Sequence, residues 1–280
     1  MPIIESKNLN VIENGDLVYI TFPSLCVEGI KHGFSTRLGG VSDGIFSTMN
    51  LSFSRGDNEN AVLNNYKIIC DAIGVDYKKC VLSKQTHTTN IRVVSPDDIG
   101  KGIIKERDFD DVDGLITNIP GVTLVTQYAD CVGLLFYDPV KQVVAASHAG
   151  WRGTVNEIGR LTVEKMQAAF GCNPADILTA IAPSIGKCCF EVDKPVYDEF
   201  IKLKNIDLSD IIDDKGNGKY NIDLWECNRQ ILLSAGILPQ NITITDLCTK
   251  CHPAVFFSHR ATLGKRGNLA AFICLDEVSQ

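Results

Sequence analysis

The chain has 280 residues, of which 45% are hydrophobic and 22% charged, with a formal net charge of −7. It is long enough to bury a large core. Scattered basic residues in an acidic chain argue against a nucleic-acid or anionic-membrane surface, so an anionic substrate has to be held by a few local cations. The N-terminal MPIIESKNLNVIENGD has no basic head followed by an apolar run. No stretch approaches the roughly 18 apolar residues of a membrane span. The eleven cysteines therefore read as the reduced thiols of a cytoplasmic protein. No internal repeat, low-complexity tract or Pro/Ser-rich linker divides the chain, which favours one domain over 1–280.

A first strand is read over 17–22. A second short strand from His32 runs into a loop carrying Arg37, Gly39 and Gly40. Two glycines permit positive φ and close backbone approach to a ligand. No P-loop or G-x-G-x-x-G occurs, so no standard nucleotide cradle is indicated. The apolar spacing over 59–73 predicts a helix ended by Gly74. Strand 80–82 leads into a polar loop holding His87, followed by strand 91–94. Residues 95–111 are charged and read as exposed, and strands are expected over 113–117 and 122–126.

The apolar runs 132–137 and 142–147 flank Asp138-Pro139-Val140-Lys141, a turn sequence because proline pre-sets φ for the first central position. With Pro139 and Val140 as the loop, Asp138 faces Lys141 and Cys131 faces His148. Facing residues place Cβ atoms about 4.5–5.5 Å apart, and a slip of one residue would send the two side chains to opposite faces. Thr154 is expected to cap a helix over 155–170, with Glu157 completing a capping box and Gly171 ending it. Strands over 177–181, 241–245 and 269–275 and helices over 195–203 and 224–235 complete the pattern. The fold class expected is α+β with mixed sheets.

Cys131, His148 and His87 would leave a fourth tetrahedral position open, the pattern of catalytic zinc. Cys131 and His148 also fit a nucleophile pair, with the imidazole lowering the thiol pKa, or a core thiol beside a capping histidine. Spacing alone leaves these readings open. Cys248-Thr249-Lys250-Cys251-His252 has the haem-attachment spacing, but covalent haem is attached outside the cytoplasm. A structural zinc ribbon needs a second thiol pair. Cys188 and Cys189 could supply one, although adjacent cysteines rarely chelate one ion together. The 248/251 pair is therefore expected to be a bystander to metal binding.

Phe34-Ser35-Thr36-Arg37, Gln85-Thr86-His87, Ala129-Asp130-Cys131, His148-Ala149-Gly150-Trp151-Arg152-Gly153, Pro183-Ser184-Ile185-Gly186, Cys248-Thr249 and Phe256-Phe257-Ser258 stand in this order along the chain. On these motifs the chain resembles the laccase-domain family, also called polyphenol oxidase, peptidoglycan editing factor and purine nucleoside phosphorylase. The resemblance implies a single domain of mixed sheets in an α/β/β/α arrangement, with zinc held by His87, Cys131 and His148. It implies phosphorolysis of adenosine, inosine, guanosine and methylthioadenosine, with adenosine deamination, so that purine nucleosides and phosphate are the partners.

Deamination needs a hydroxide near neutral pH, which zinc with an open position provides, for attack at C6 of adenine. Asp130 is then the candidate proton shuttle or ligand support beside Cys131 and His148. Arg37, Gln85 and Arg260 are the candidates for substrate and phosphate, Arg37 because a guanidinium in a Gly-Gly loop suits bidentate oxyanion binding. Thr88 stands where the family usually has glycine, His259 and Ala261 replace parts of a common Ser-Tyr-Arg-Arg pattern, and Asn268 falls near an expected arginine, with Arg266 close by. The alternatives are a metal-free Cys–His hydrolase or deamidase and a copper-dependent polyphenol oxidase. Five histidines without a His-x-His pair count against a multicopper cluster, while a blue-copper His2Cys site stays arithmetically possible.

Overall fold

The run LAAFICL is apolar at every position because both of its faces are covered. In the computed structural model, which describes residues 3–204 and 206–277, it forms the strand Leu269–Leu275 inside a six-stranded sheet. The spatial order is Asn10–Asn14, Leu17–Thr21, Ile30–Ser35, Leu269–Leu275, Thr123–Tyr128 and Cys80–Leu82. Ala271 and Ile273 face an inter-sheet core with Phe34 and Leu124. Their neighbour Phe272 turns the other way, against Val62, Tyr66 and Ile69 of the helix Glu59–Ile73. Phe272 is fully buried, and truncating such a phenylalanine to alanine costs about 3–5 kcal/mol.

A second six-stranded sheet lies on the other side of that core, in the order Ile242–Ile244, Leu178–Ile181, Val132–Asp138, Val143–Ala149, Gly114–Thr117 and Ile91–Val93. Leu135 and Ala146 face the first sheet. Leu134, Phe136 and Ala145 face Ile158, Val163, Met166, Ile231 and Leu232 of the helices Ile158–Phe170 and Leu224–Ser234. Helix, sheet, sheet and helix thus stack as the expected α/β/β/α arrangement. Both sheets are mixed: 80–82 runs parallel to 123–125, 91–93 to 114–116 and 179–181 to 242–244, beside antiparallel neighbours. A small antiparallel sheet of Glu191–Asp193, Lys219–Ile222 and Ile212–Gly216 adjoins them. Among the described residues, no helix is long and apolar enough to cross a membrane.

The helix over 59–73 stands as expected, with the Asn58 side chain accepting from the Asn60 and Ala61 amides and Gly74 at φ 82°. Three expectations are corrected. The 132–149 hairpin pairs Asp138 with Val143 and Gly133 with His148, so its loop is the four residues 139–142 and not two. Tight two-residue loops need a positive φ at their first central position, which Pro139 cannot adopt. The chain instead closes through Asp138 Oδ1, which accepts from the Val140 and Lys141 amides at 2.9 Å, and through Gln142 at φ 52°. The pairing moves by two residues, an even step, so face assignments survive.

The helix expected over 155–170 begins only at Ile158, after a short helical turn Trp151–Val155. Glu157 sits at φ 55° and caps nothing with its side chain. Thr154 is taken by tertiary bonds to Ala149 O and from Asn228 Nδ2. Finally, the 95–111 segment is not uniformly exposed. Asp98 is fully buried, with two bonds from Arg92 at 2.8 and 3.1 Å and one from Lys101 at 2.9 Å.

Candidate metal centre

Asp113 stands where the chain enters the strand Gly114–Thr117 and is fully buried. A buried carboxylate is stable only if its oxygens are hydrogen-bonded, and five donors reach this one. Oδ2 accepts from the Thr86 amide (2.9 Å), the Thr88 amide (3.0 Å) and the Thr88 hydroxyl (3.2 Å). Oδ1 accepts from the His87 amide at 3.2 Å and lies 2.7 Å from His148 Nδ1. One side chain therefore folds the 83–90 loop around itself, holds His87 at φ 67° and fixes the His148 ring. Burial alone would raise its pKa, but His148 and the amides outweigh burial and hold it below the usual carboxylate range.

His148 is buried at the end of Val143–Ala149. Cys131 closes the crossing from the first sheet to the second, just before Val132–Asp138. The facing residue of His148 is Gly133, so Cys131 is its diagonal neighbour, still within side-chain reach. Donor atoms of His87, Cys131 and His148 all lie within 4.8 Å of one another. The two rings meet edge to face with centroids 4.8 Å apart. Gly150 makes the room, since a Cβ there would lie 2.7 Å from His87 Nδ1 and 3.1 Å from Cys131 Sγ. Burial alone would lower the His148 pKa, but Cys131 and Asp113 push it up to about 9. His87 is lowered by burial and by His148.

This donor set fits a metal ion. Two imidazoles and a thiolate suit zinc and leave one position open. Asp113 on His148 Nδ1 is the carboxylate–histidine support that orients a ligating ring and would leave Nε2 to hold the ion. Such an ion would take the place of the proton that His148 otherwise keeps.

The other sequence candidates are placed differently. Asp130, at φ 83°, lines the cleft beside Cys131 with both oxygens engaged. Oδ1 accepts from the Thr249 hydroxyl at 2.7 Å and Oδ2 from the Arg260 amide at 2.6 Å. It anchors the inter-sheet crossing that carries Cys131, and Asp113 is the supporting carboxylate. Gln85 spends both ends of its amide on the Gln127 backbone at 2.7 Å, shaping the cleft wall instead of reaching into it.

Arg260 borders the cleft, over the Phe190 ring and bonded to Glu191 O at 2.9 Å. Arg37 is not brought to the donors. Its guanidinium bonds Ser47 O and Pro253 O at 2.9 Å and lies over Phe257. Its glycines serve the chain's own backbone, for a Cβ on Gly39 would lie 2.2 Å from Leu17 Cα and one on Gly40 2.2 Å from Thr48 O.

Two adjoining cavities, about 350 and 330 Å3, share Arg55, His87, Ala129, Cys131 and Arg266. One is polar, with Lys84 and Arg107 beside the donors. The other is walled by Trp151, Ile185, Phe190 and Leu224. Arg266 is buried, its Nε has no partner among the described residues, and burial together with Arg55 lowers its pKa to about 10. Arg152 lies over the Trp151 ring at 4.3 Å. Arg55 and Arg107 carry no sequence signal of their own. Each stands alone in a loop, and only the fold brings it to the cleft.

A second convergence contradicts the expected absence of a second thiol pair. Cys188 and Cys189 lie against Cys248 and Cys251, with all four Sγ atoms within 4.8 Å of one another.

A family model described as multi-copper polyphenol oxidoreductase laccase matches residues 31–276. The chain is 38% identical to "Purine nucleoside phosphorylase YlmD" of Bacillus subtilis (strain 168) over 88% of each protein. It is 36% identical to "Adenosine deaminase RL5" of an unknown prokaryotic organism, over 84% of this chain and 89% of that one. The solved structure of hypothetical protein YfiH from Bacillus licheniformis superposes with a TM-score of 0.90 at 34% identity, over 96% of this chain and all of that one.

Proposed function

The chain belongs to the multi-copper polyphenol oxidoreductase laccase family, and we propose that it acts in the cytoplasm as a zinc-dependent purine nucleoside phosphorylase with adenosine deaminase activity. The adenine, hypoxanthine and guanine nucleosides and methylthioadenosine are its substrates. The observation that carries this reading is the convergence of the His87, Cys131 and His148 donor atoms on one another, with His148 held by Asp113, in an arginine-lined cleft. The names of two relatives, a purine nucleoside phosphorylase and an adenosine deaminase, supply the reaction classes. Eleven unpaired cysteines accord with a reducing compartment.

Zinc at these donors supplies a Lewis acid and brings the ionisation of water to about pH 7. The chain does the rest. Asp113 keeps His148 in one tautomer and His87 in one backbone conformation. Arg266, Arg55 and Arg107 hold phosphate beside C1′ of the ribose, the role first given to Arg37, while Trp151, Ile185 and Phe190 take the flat base. In phosphorolysis a phosphate oxygen bonds to C1′, the bond from C1′ to the purine nitrogen breaks, and the departing base takes a proton. In deamination water replaces the 6-amino group, which leaves as ammonia.

A multicopper cluster does not fit the donors. His32 accepts from the Phe22 amide, His252 bonds Cys248 O and His259 faces Arg266, so only two imidazoles meet the thiol. A second reading has a specific observation in its favour. Asp113, His148 and Cys131 also line up as acid, base and nucleophile. That reading gives His87 no role.

The test incubates the zinc-loaded protein with adenosine, with and without phosphate, and resolves the products. Adenine and ribose 1-phosphate that require phosphate, beside inosine that does not, support the proposal. Full turnover after chelation of all metal favours the Cys–His reading, and no turnover of adenosine with or without phosphate overturns the proposed activity.

A further inference from the structure

The loops 183–191 and 248–252 run side by side. Ser184 and Cys248 form a parallel bridge, and the Thr249 amide donates to Ser184 O at 2.9 Å. The loop passes close at Gly186, where a Cβ would lie 3.0 Å from the Trp225 ring and 3.3 Å from Cys248 Cβ. Cys188 and Cys189 occupy a turn, not a strand. Neighbours on a strand point to opposite faces. In this turn both thiols face Cys251, at Sγ distances of 3.6 and 3.4 Å.

We propose that Cys188, Cys189, Cys248 and Cys251 hold a second metal ion, a structural zinc in an all-thiolate site distinct from the His87–Cys131–His148 centre. A tetrahedron with Zn–S near 2.3 Å sets its sulfurs about 3.8 Å apart, close to the spacing already present. Cys248-Thr249-Lys250-Cys251 has the two-residue separation of a zinc-binding thiol pair. The Gly186 amide donates to Cys248 Sγ at 3.2 Å, a bond that favours a thiolate. His252 is not a competing ligand through Nδ1, which is held at 2.9 Å by Cys248 O. Four thiolates leave no open position, so the site is closed and structural. Its consequence is mechanical. It ties Phe190, a wall of the cleft, to Thr249, the residue that holds Asp130.

The experiment is metal analysis on protein purified under reducing conditions with zinc and then desalted. The intact chain is expected to carry about two equivalents. Cys131→Ser, which disables the first centre, keeps about one. The double variant Cys188→Ser/Cys251→Ser, which alters two exposed cysteines, loses about one and keeps the other. Cobalt added to metal-free Cys131→Ser provides a second readout, an intense thiolate-to-cobalt absorption in the near ultraviolet. Three results overturn the proposal: Cys131→Ser with no residual zinc and no such absorption, undiminished zinc in the double variant, or a disulfide at Cys251 in freshly reduced protein. None of these readouts depends on nucleoside turnover, so the proposed activity and this site fail separately.

Discussion

At the first cluster two imidazoles and one thiol gather, and one of the imidazoles is held by a carboxylate that is fully buried. At the second, four thiols gather with neither a carboxylate nor an imidazole among the grouped donors. The first is built from a loop, a strand end and an inter-sheet crossing, and opens on a cleft with Arg55, Arg107 and Arg266. The second lies between two loops, with Cys188 and Cys251 exposed. Donor atoms alone therefore do not make a reactive centre. A carboxylate that orients an imidazole and a cleft lined by three arginines belong to the first cluster; at the second the grouped donors are thiols alone.

The largest expected effect comes from removing the carboxylate that makes the difference. Asp113→Ala leaves three amides and His148 without their partner, at a cost of about 3–5 kcal/mol. Zinc affinity at the first centre should fall by up to about 100-fold, measured by competition with a chelator, while the four-thiol cluster is unaffected. An unchanged affinity would break the comparison.

Asp98 is the control, a buried carboxylate served by Arg92 and Lys101 that belongs to neither donor group and does not line the cleft. Burial alone would raise its pKa, but the Arg92, Ser95 and Lys101 bonds carry it well below the usual range. A depressed folded-state pKa stabilises above the unfolded value of about 3.9 and is lost as pH falls through the folded one. Asp98→Asn should thus cost about 3 kcal/mol at neutral pH with metal content unchanged. The gap to wild type in urea melts should close below about pH 4. A gap that widens in acid would show the sign to be wrong.

Arg266→Ala should raise the phosphate requirement about tenfold to a hundredfold, the equivalent of a charge-assisted bond of about 1.5–3 kcal/mol, and leave adenosine deamination in place. Equal loss of both activities would assign Arg266 to the nucleoside. The smallest effect belongs to Arg37→Ala. It should lower stability by about 1–2 kcal/mol through two lost carbonyl bonds and the Phe257 contact, with no change in phosphate dependence. Kinetics in varied phosphate beside a thermal melt separate the two roles.

The mixed-sheet α+β class and the three donors were readable from period and motif, while the layering was implied by the family resemblance. The same-face placement of Cys131 and His148 survived a wrong loop length only because the error was two residues, and side-chain direction has period two. Pro139 held the missing information, since it cannot enter the turns that a two-residue loop requires. Asp113 could not be read locally, because three of its five donor groups are backbone amides of 86–88, which leave no trace in side-chain pattern. Arg37 misled for the converse reason. A glycine pair looks the same whether it admits a ligand or its own chain, as at Leu17 and Thr48. Cys188 and Cys189 were set aside because adjacent cysteines rarely chelate one ion together, but the turn they occupy aims both thiols at Cys251.

The central claim is that purine chemistry depends on a metal held at the open cluster. It is tested most directly by assaying adenosine plus phosphate on wild type and Cys131→Ser while measuring zinc in the same samples. The account predicts adenine and ribose 1-phosphate from wild type, loss on stripping the metal, recovery when zinc is restored, and no recovery by Cys131→Ser at any zinc concentration. Turnover by Cys131→Ser equal to wild type, or wild-type turnover that outlasts complete removal of metal, would contradict it.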